Sequence, residues 1–186
     1  MLKKLFALSV FALMMLVANA QTNIQRSFGS LSFGTDYYSA YNAISRMSFD
    51  KVNQAVERPD LWRLYDVRFG GYQWRYAVLS FDASKSGQNS SAVFYAIDFT
   101  QDFSDFSIAE SRYKSLFDSL CQKYGEAKVI KEGTDTQAVW CDNTSICYLE
   151  FKYSQALNEE YYWYVILSYW DMAIVDKRSS EQFDEL

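Results

Sequence analysis

Apolar and polar positions alternate on both sides of Gly70-Gly71. Glycine accepts the positive φ angles that a tight turn needs, so the pattern predicts a hairpin of strands 61–69 and 72–81. Folding there sets Phe69 opposite Tyr72, Val67 opposite Trp74 and Tyr65 opposite Tyr76, with all six side chains on one face. The other face pairs Asp66 with Arg75 and Arg68 with Gln73. After Tyr76 the parity changes, and Ala77, Leu79 and Phe81 become the apolar set. That implies a bulge near Ala77 or Val78, or a stretch covered on both sides. A polar turn at 84–90 leads to a third strand at 92–100, with Val93, Tyr95, Ile97 and Phe99 on one face.

Helical spacing appears twice. Tyr37, Ala40, Tyr41, Ile44 and Met47 form an apolar stripe on a helix starting at Asp36, with Thr35 as its N-cap. A further helical turn is expected between Phe49 and Arg58, ended by Pro59. The second helix, 107–124, opens on the capping box Ser107/Glu110 and stops at Gly125. Its stripe is Ala109, Tyr113, Leu116, Phe117, Leu120 and Tyr124. Four strand-like runs follow, at 127–132, 137–141, 146–153 and 161–170.

The order is helix then strands, twice. It predicts an α+β domain in which two helices pack on one face of an antiparallel sheet of about seven strands. The two α-then-β modules would span about 28–100 and 105–172, in one domain from 21 to 172, because no Gly/Ser/Pro linker divides them. Residues 173–186 read as a charged tail.

The first twenty residues have a different character. Lys3 and Lys4 precede an apolar run from Leu5 to Val17, and Ala18-Asn19-Ala20 supplies small residues at a cleavage site. This is the anatomy of a secretory signal peptide, too short to span a bilayer. Cleavage near Ala20 would place the mature chain in the periplasm or outside the cell, and no later run reaches the ~18 apolar residues of a membrane span. Without Lys3 and Lys4 the chain carries 16 basic and 23 acidic residues. Such acidity repels phosphate backbones and argues against nucleic acid as a partner. The chain has no histidine, which removes the usual general base, the usual zinc ligand and the ordinary catalytic triads. No cofactor or metal motif is present in the sequence.

Cys121, Cys141 and Cys147 are an odd number for an oxidising compartment. Cys141 and Cys147 flank DNTSI, a hairpin tip, and are candidates for a cross-hairpin disulfide, although Cys121 could claim either partner. Paired carboxylates can hydrolyse a glycosidic bond without a histidine. The candidates on strands are Asp66, Asp98, Glu150 and Asp171, all at positions whose parity points to the wet face.

Aromatic residues are abundant, with 15 tyrosines, 14 phenylalanines and 5 tryptophans. In the run from Tyr161 to Tyr164, Trp163 faces one side of its strand, and Tyr162 and Tyr164 face the other. Together with Tyr72, Trp74, Trp140 and Trp170, these residues suggest an aromatic platform that binds a protein or stacks on a glycan. The alternative is that the rings fill a two-sided core.

The segment Phe28 to Ala40, FGSLSFGTDYYSA, resembles the opening of modules in the β-lactamase inhibitor protein fold. It is similar also to small outer-membrane assembly lipoproteins, although Thr35 follows Gly34 directly where those families usually carry Met-Thr. The GGYQW hairpin and the helix end from Leu120 to Gly125 look like those of many secreted proteins of gut-type Gram-negative bacteria. The resemblance implies a helix docked on a three- or four-stranded sheet and a non-catalytic, inhibitor-like or assembly-like binding role. It carries over no catalytic residue.

Overall fold

The computed structural model describes residues 23–46, 55–58, 61–82, 92–155 and 160–176. The expected leader, the turn at 84–90, Met47 in the first stripe and the tail beyond 176 lie outside the described residues. A small hairpin comes first, β1 (Ser27–Phe28) and β2 (Leu31–Ser32), followed by α1 (Tyr37–Arg46). Next are β3 (Ala55–Arg58), β4 (Leu61–Phe69), β5 (Tyr72–Asp82) and β6 (Val93–Phe103). The second half holds α2 (Phe106–Tyr124), β7 (Lys128–Glu132), β8 (Asp135–Cys141), β9 (Ser145–Gln155) and β10 (Tyr161–Asp171). One helical turn follows at 172–176.

All strands except the first hairpin join one antiparallel sheet in the order β3-β4-β5-β6-β10-β9-β8-β7. Seven strands are thus joined by one four-residue edge strand, β3. Each half runs from its outer edge to the middle in chain order, and the two halves meet at β6 and β10. There Phe99 pairs with Leu167, so the two halves meet antiparallel, and both helices lie on the same side of the sheet.

The register shows which side that is. Trp62, Leu79, Ile97, Tyr169, Cys147 and Trp140 form one row across six strands, and all six are buried. At one end of the row, α1 lays Tyr37 edge-on against Trp62, 4.6 Å between centroids, and the Trp62 indole donates to the Tyr37 hydroxyl at 2.9 Å. At the other end, α2 places Phe117 5.9 Å from Trp140, whose indole donates to the Gly125 carbonyl at 3.0 Å.

Between the helices, the β1–β2 hairpin covers the middle of the sheet, beside an apolar cavity of about 310 Å³ lined by Leu31, Ile44, Leu64, Leu79 and Phe99. Gly29, at φ 66°, makes its turn and points Phe28 and Leu31 into the core. Phe28 meets the rings of Phe33, Phe69, Phe94, Phe99 and Tyr169 at 5.3–6.2 Å. The segment before it is strapped to the second half. Arg26 pairs with Asp171 and donates to the Thr144 carbonyl at 2.8 Å. The Ile24 N–H donates to Asp142 at 2.5 Å, and the same carboxylate accepts from the N–H groups of Thr144 and Ser145 at 2.7 Å. Burial pushes the Asp142 carboxyl up, but these donors outweigh it and hold the group below its usual range.

Several expectations are corrected. The segment before Pro59 is not helical at its end: Ala55–Arg58 pairs with β4, because the outer edge of that strand offers backbone partners. Asp36 caps α1, accepting from the Ser39 N–H at 3.0 Å, while the Thr35 hydroxyl donates to Ser32 instead. Tyr41, placed in the buried stripe by spacing, is 48% exposed. The second helix begins at Phe106 with Asp105 as its cap, the carboxylate accepting from Ile108 N–H at 3.0 Å. Two capping candidates stand two residues apart, and the aspartate wins. Finally, Asp66 takes φ 54°, a left-handed conformation that Asp tolerates better than most residues. The break therefore falls at Asp66 and Arg75, not at Ala77 or Val78. It turns Tyr65 and Tyr76 onto the opposite face from Val67 and Trp74, and Arg75 pairs with Asp102 rather than Asp66.

Replacing Phe28 with Ala should destabilise the fold by about 3–5 kcal/mol in chemical denaturation. Tyr41→Ala, at an exposed ring of α1, should cost well under half of that.

Candidate binding surface

With both helices on one side, the opposite side of the sheet has, among the described residues, no helical cover apart from the turn at 172–176. Two rows of residues cross it. One runs Arg63, Val78, Asp98, Ser168, Tyr148, Val139 and Lys128; the next runs Tyr65, Tyr76, Thr100, Ile166, Glu150, Gln137 and Ile130. Most of these side chains are neither buried nor fully exposed. They belong to an uncovered face that is unusually aromatic.

Several of its polar groups are bonded to one another. The Trp170 indole donates to Asp98 at 3.1 Å and lies 5.3 Å from the Tyr148 ring. Glu150 accepts from the Gln137 amide at 2.8 Å and pairs with Lys152. Arg75 pairs with Asp102, and the Arg63 guanidinium lies over Tyr76 at 5.0 Å. Asp98 stands at the centre, beside Ser168. Loss of water raises its carboxyl above the usual range, against the opposing hydrogen bonds from Ser168 and Trp170. Burial also raises the Tyr148 and Tyr164 hydroxyls. At one end Val139, Ile146 and Tyr148 form a small apolar mound with Cys141, Trp170 and Met172.

The seven aromatic residues singled out from the sequence divide between the two sides. Tyr162, Tyr164 and Trp170 are on the uncovered face. Trp74 and Trp140 are buried in the helix-covered core, at 0% and 3% exposure. Tyr72 bonds Ser115 of α2 at 2.7 Å, beneath the Arg112 guanidinium. Trp163 stacks on Phe151, meets Tyr153 at 4.6 Å and lies against Phe106. The seven therefore form no single platform. Alternation alone missed Tyr65 and Tyr76, because the left-handed Asp66 carries no glycine signal. It also left Tyr148 unremarked, in a strand whose two faces are both apolar near its start.

The carboxylates part company in the same way. Asp171 is buried in its ion pair with Arg26 on the covered side, and Asp66 lies exposed at the break in β4. Only Asp98 and Glu150 share the open face, on strands separated by β10. Among the described residues, no three His, Cys, Asp or Glu side chains are grouped to hold a metal, and no helix is long and apolar enough to cross a membrane.

The chain matches no protein-family model, no curated protein and no solved structure.

The disulfide expectation is corrected. None of the three thiols is in a disulfide. Trp140, not Cys141, pairs with Cys147 across the β8–β9 hairpin. That offset of one residue sends Cys141 to the open face and Cys147 into the core, so the two cannot bridge. Burial pushes the Cys147 thiol far up, and raises Cys121 and Cys141 as well.

Thiol titration without reductant should find three reactive groups in denaturant. In the native protein Cys147 should stay unmodified. A second measurement concerns Asp98. A carboxyl raised on folding binds its proton more tightly in the native state, so stability falls as pH rises from about 4 through the folded value. Asp98→Asn should therefore be more stable than the wild type at pH 7, by on the order of 1 kcal/mol. That gap should close as the pH approaches 4.

Proposed function

We propose that the protein is a non-catalytic binding module, exported from the cytoplasm, that docks a protein partner on the uncovered face of its sheet. One observation carries the reading. Tyr65, Tyr76, Tyr148, Tyr164 and Trp170 share that face with the ion pairs Arg75–Asp102 and Glu150–Lys152 and with Asp98, whose carboxyl accepts from the Trp170 indole. Aromatic side chains and arginine are enriched at protein interfaces. Charges satisfied within one protein lose less when a partner covers them. Export is supported by the leader sequence and by the strap at Ile24 and Arg26, which begins just after the expected cleavage point. The module resemblance at Phe28 to Ala40 supports an inhibitor-like or assembly-like role.

Glycan stacking is the competing use of the same rings. Trp170 favours it less, since its indole nitrogen is held by Asp98 and its ring packs on Tyr148.

The two uses separate with a photo-crosslinking residue at Tyr164 and a control at Tyr38 on α1, which is 58% exposed. The expected result in exporting cells is a discrete protein adduct from position 164 only. Affinity for that protein, once purified, should fall at least tenfold in Tyr76→Ala/Tyr164→Ala. Adducts from Tyr38 alone would overturn the docking face. Saturable quenching of tryptophan fluorescence by an oligosaccharide, with no adduct, would assign the surface to a glycan. Intact mass of the exported chain should place its first residue at Gln21.

A further inference from the structure

Strand β7 ends the sheet, and no described strand pairs with its outer edge. Gly133 and Thr134 form a two-residue turn, Gly133 at φ 60°, closed by the pair Glu132–Asp135. In such a hairpin the closing pair exchanges both backbone hydrogen bonds, and every second pair does likewise. Lys128, Ile130 and Glu132 therefore bond inward to β8. Val129 and Lys131 present their N–H and C=O groups outward. The strand is not blunted by proline or by a bulge, and Val129 is 44% exposed.

Edge lysines often discourage pairing between copies. Here the charges are spaced so that they select one register. When two β7 strands run antiparallel about Ile130, Lys128 of each copy faces Glu132 of the other. Val129 then meets Lys131, and the outward N–H and C=O groups of those two residues satisfy each other. Sliding two residues one way sets Lys131 against Lys131. Sliding the other way sets Glu126 against Glu132. Odd registers put outward groups opposite inward ones.

We propose that β7 is a self-association edge: two copies join antiparallel about Ile130, continuing one sheet through both. Lys128 lies in the row of Val139 and Tyr148, so the two uncovered faces merge into one surface. The association does not depend on what that surface binds.

Sedimentation of the full mature chain across a concentration series tests it. The expected result is a reversible monomer–dimer equilibrium. Lys128→Glu and Glu132→Lys each replace two attractive pairs with two repulsive ones and should weaken the dimer about tenfold. The double swap Lys128→Glu/Glu132→Lys recreates the pairs and should restore it. Val129→Pro removes only an outward donor and should abolish the dimer while far-UV circular dichroism and the melting temperature hold. The charge series reads the same contact should that variant fold poorly. A wild-type chain that stays monomeric up to about 1 mM overturns the proposal, as does a double swap no tighter than the single changes.

Discussion

The fold depends on one aromatic ring being in contact with both halves of the sheet. Phe28 touches Phe69 of β4, Phe94 and Phe99 of β6 and Tyr169 of β10. No helix ring joins this cluster: α1 packs on Trp62 and Phe81 and touches β6, and α2 covers β9, β10 and the end of β6 at Phe103. A sheet with two separated roof beams would leave its middle exposed, where β6 and β10 meet. The β1–β2 hairpin fills that gap, and Phe69 stacks on Phe99 at 4.3 Å beneath it. The apolar area removed from water there belongs to both halves at once, so neither half has a complete core alone.

The strap before Phe28 extends the same dependence. Ile24 and Arg26 hold the β8–β9 turn, and Lys123 at the end of α2 reaches Gln25 at 2.8 Å. Thus the segment that roofs the first half is anchored on the second. Tyr72 returns the contact from the first half, through Ser115 of α2. Two modules in series along the chain are one cooperative body in space.

Much of this was legible in the sequence. Gly70-Gly71 set the hairpin register, and the structure pairs Phe69 with Tyr72 and Val67 with Trp74 as the alternation requires. Both helices, their shared side and the duplicated order follow from spacing, although the N-cap of each is an aspartate rather than the hydroxyl residue the sequence suggested. The misses have a common physical origin, in that local signals compete and only tertiary contacts decide between them. Asp66 adopts a glycine-like φ, and one residue on that angle moved Tyr65 and Tyr76 across the sheet. Asp105 and Ser107 are both good caps. The β8–β9 register differs by one residue from the one that would join Cys141 to Cys147, and period-two alternation converts that single step into opposite faces. The platform failed for the same reason: seven aromatic residues close in type and strand context are sorted by parity, and parity depends on register.

What parity exposes is informative in turn. A solvated β surface ordinarily carries side chains that water satisfies. On the uncovered face here several polar groups bond to one another, as Glu150 does to Gln137 and Lys152, and Asp98 keeps a carboxyl that burial disfavours in its charged form. A neutral acceptor such as asparagine could keep the hydrogen bonds to Ser168 and Trp170 without that penalty. Stability alone therefore does not explain the residue. That carboxyl is held in place by the Trp170 indole and Ser168, so hydrogen bonds within the chain fix the geometry at the centre of this face, even though burial opposes the charge.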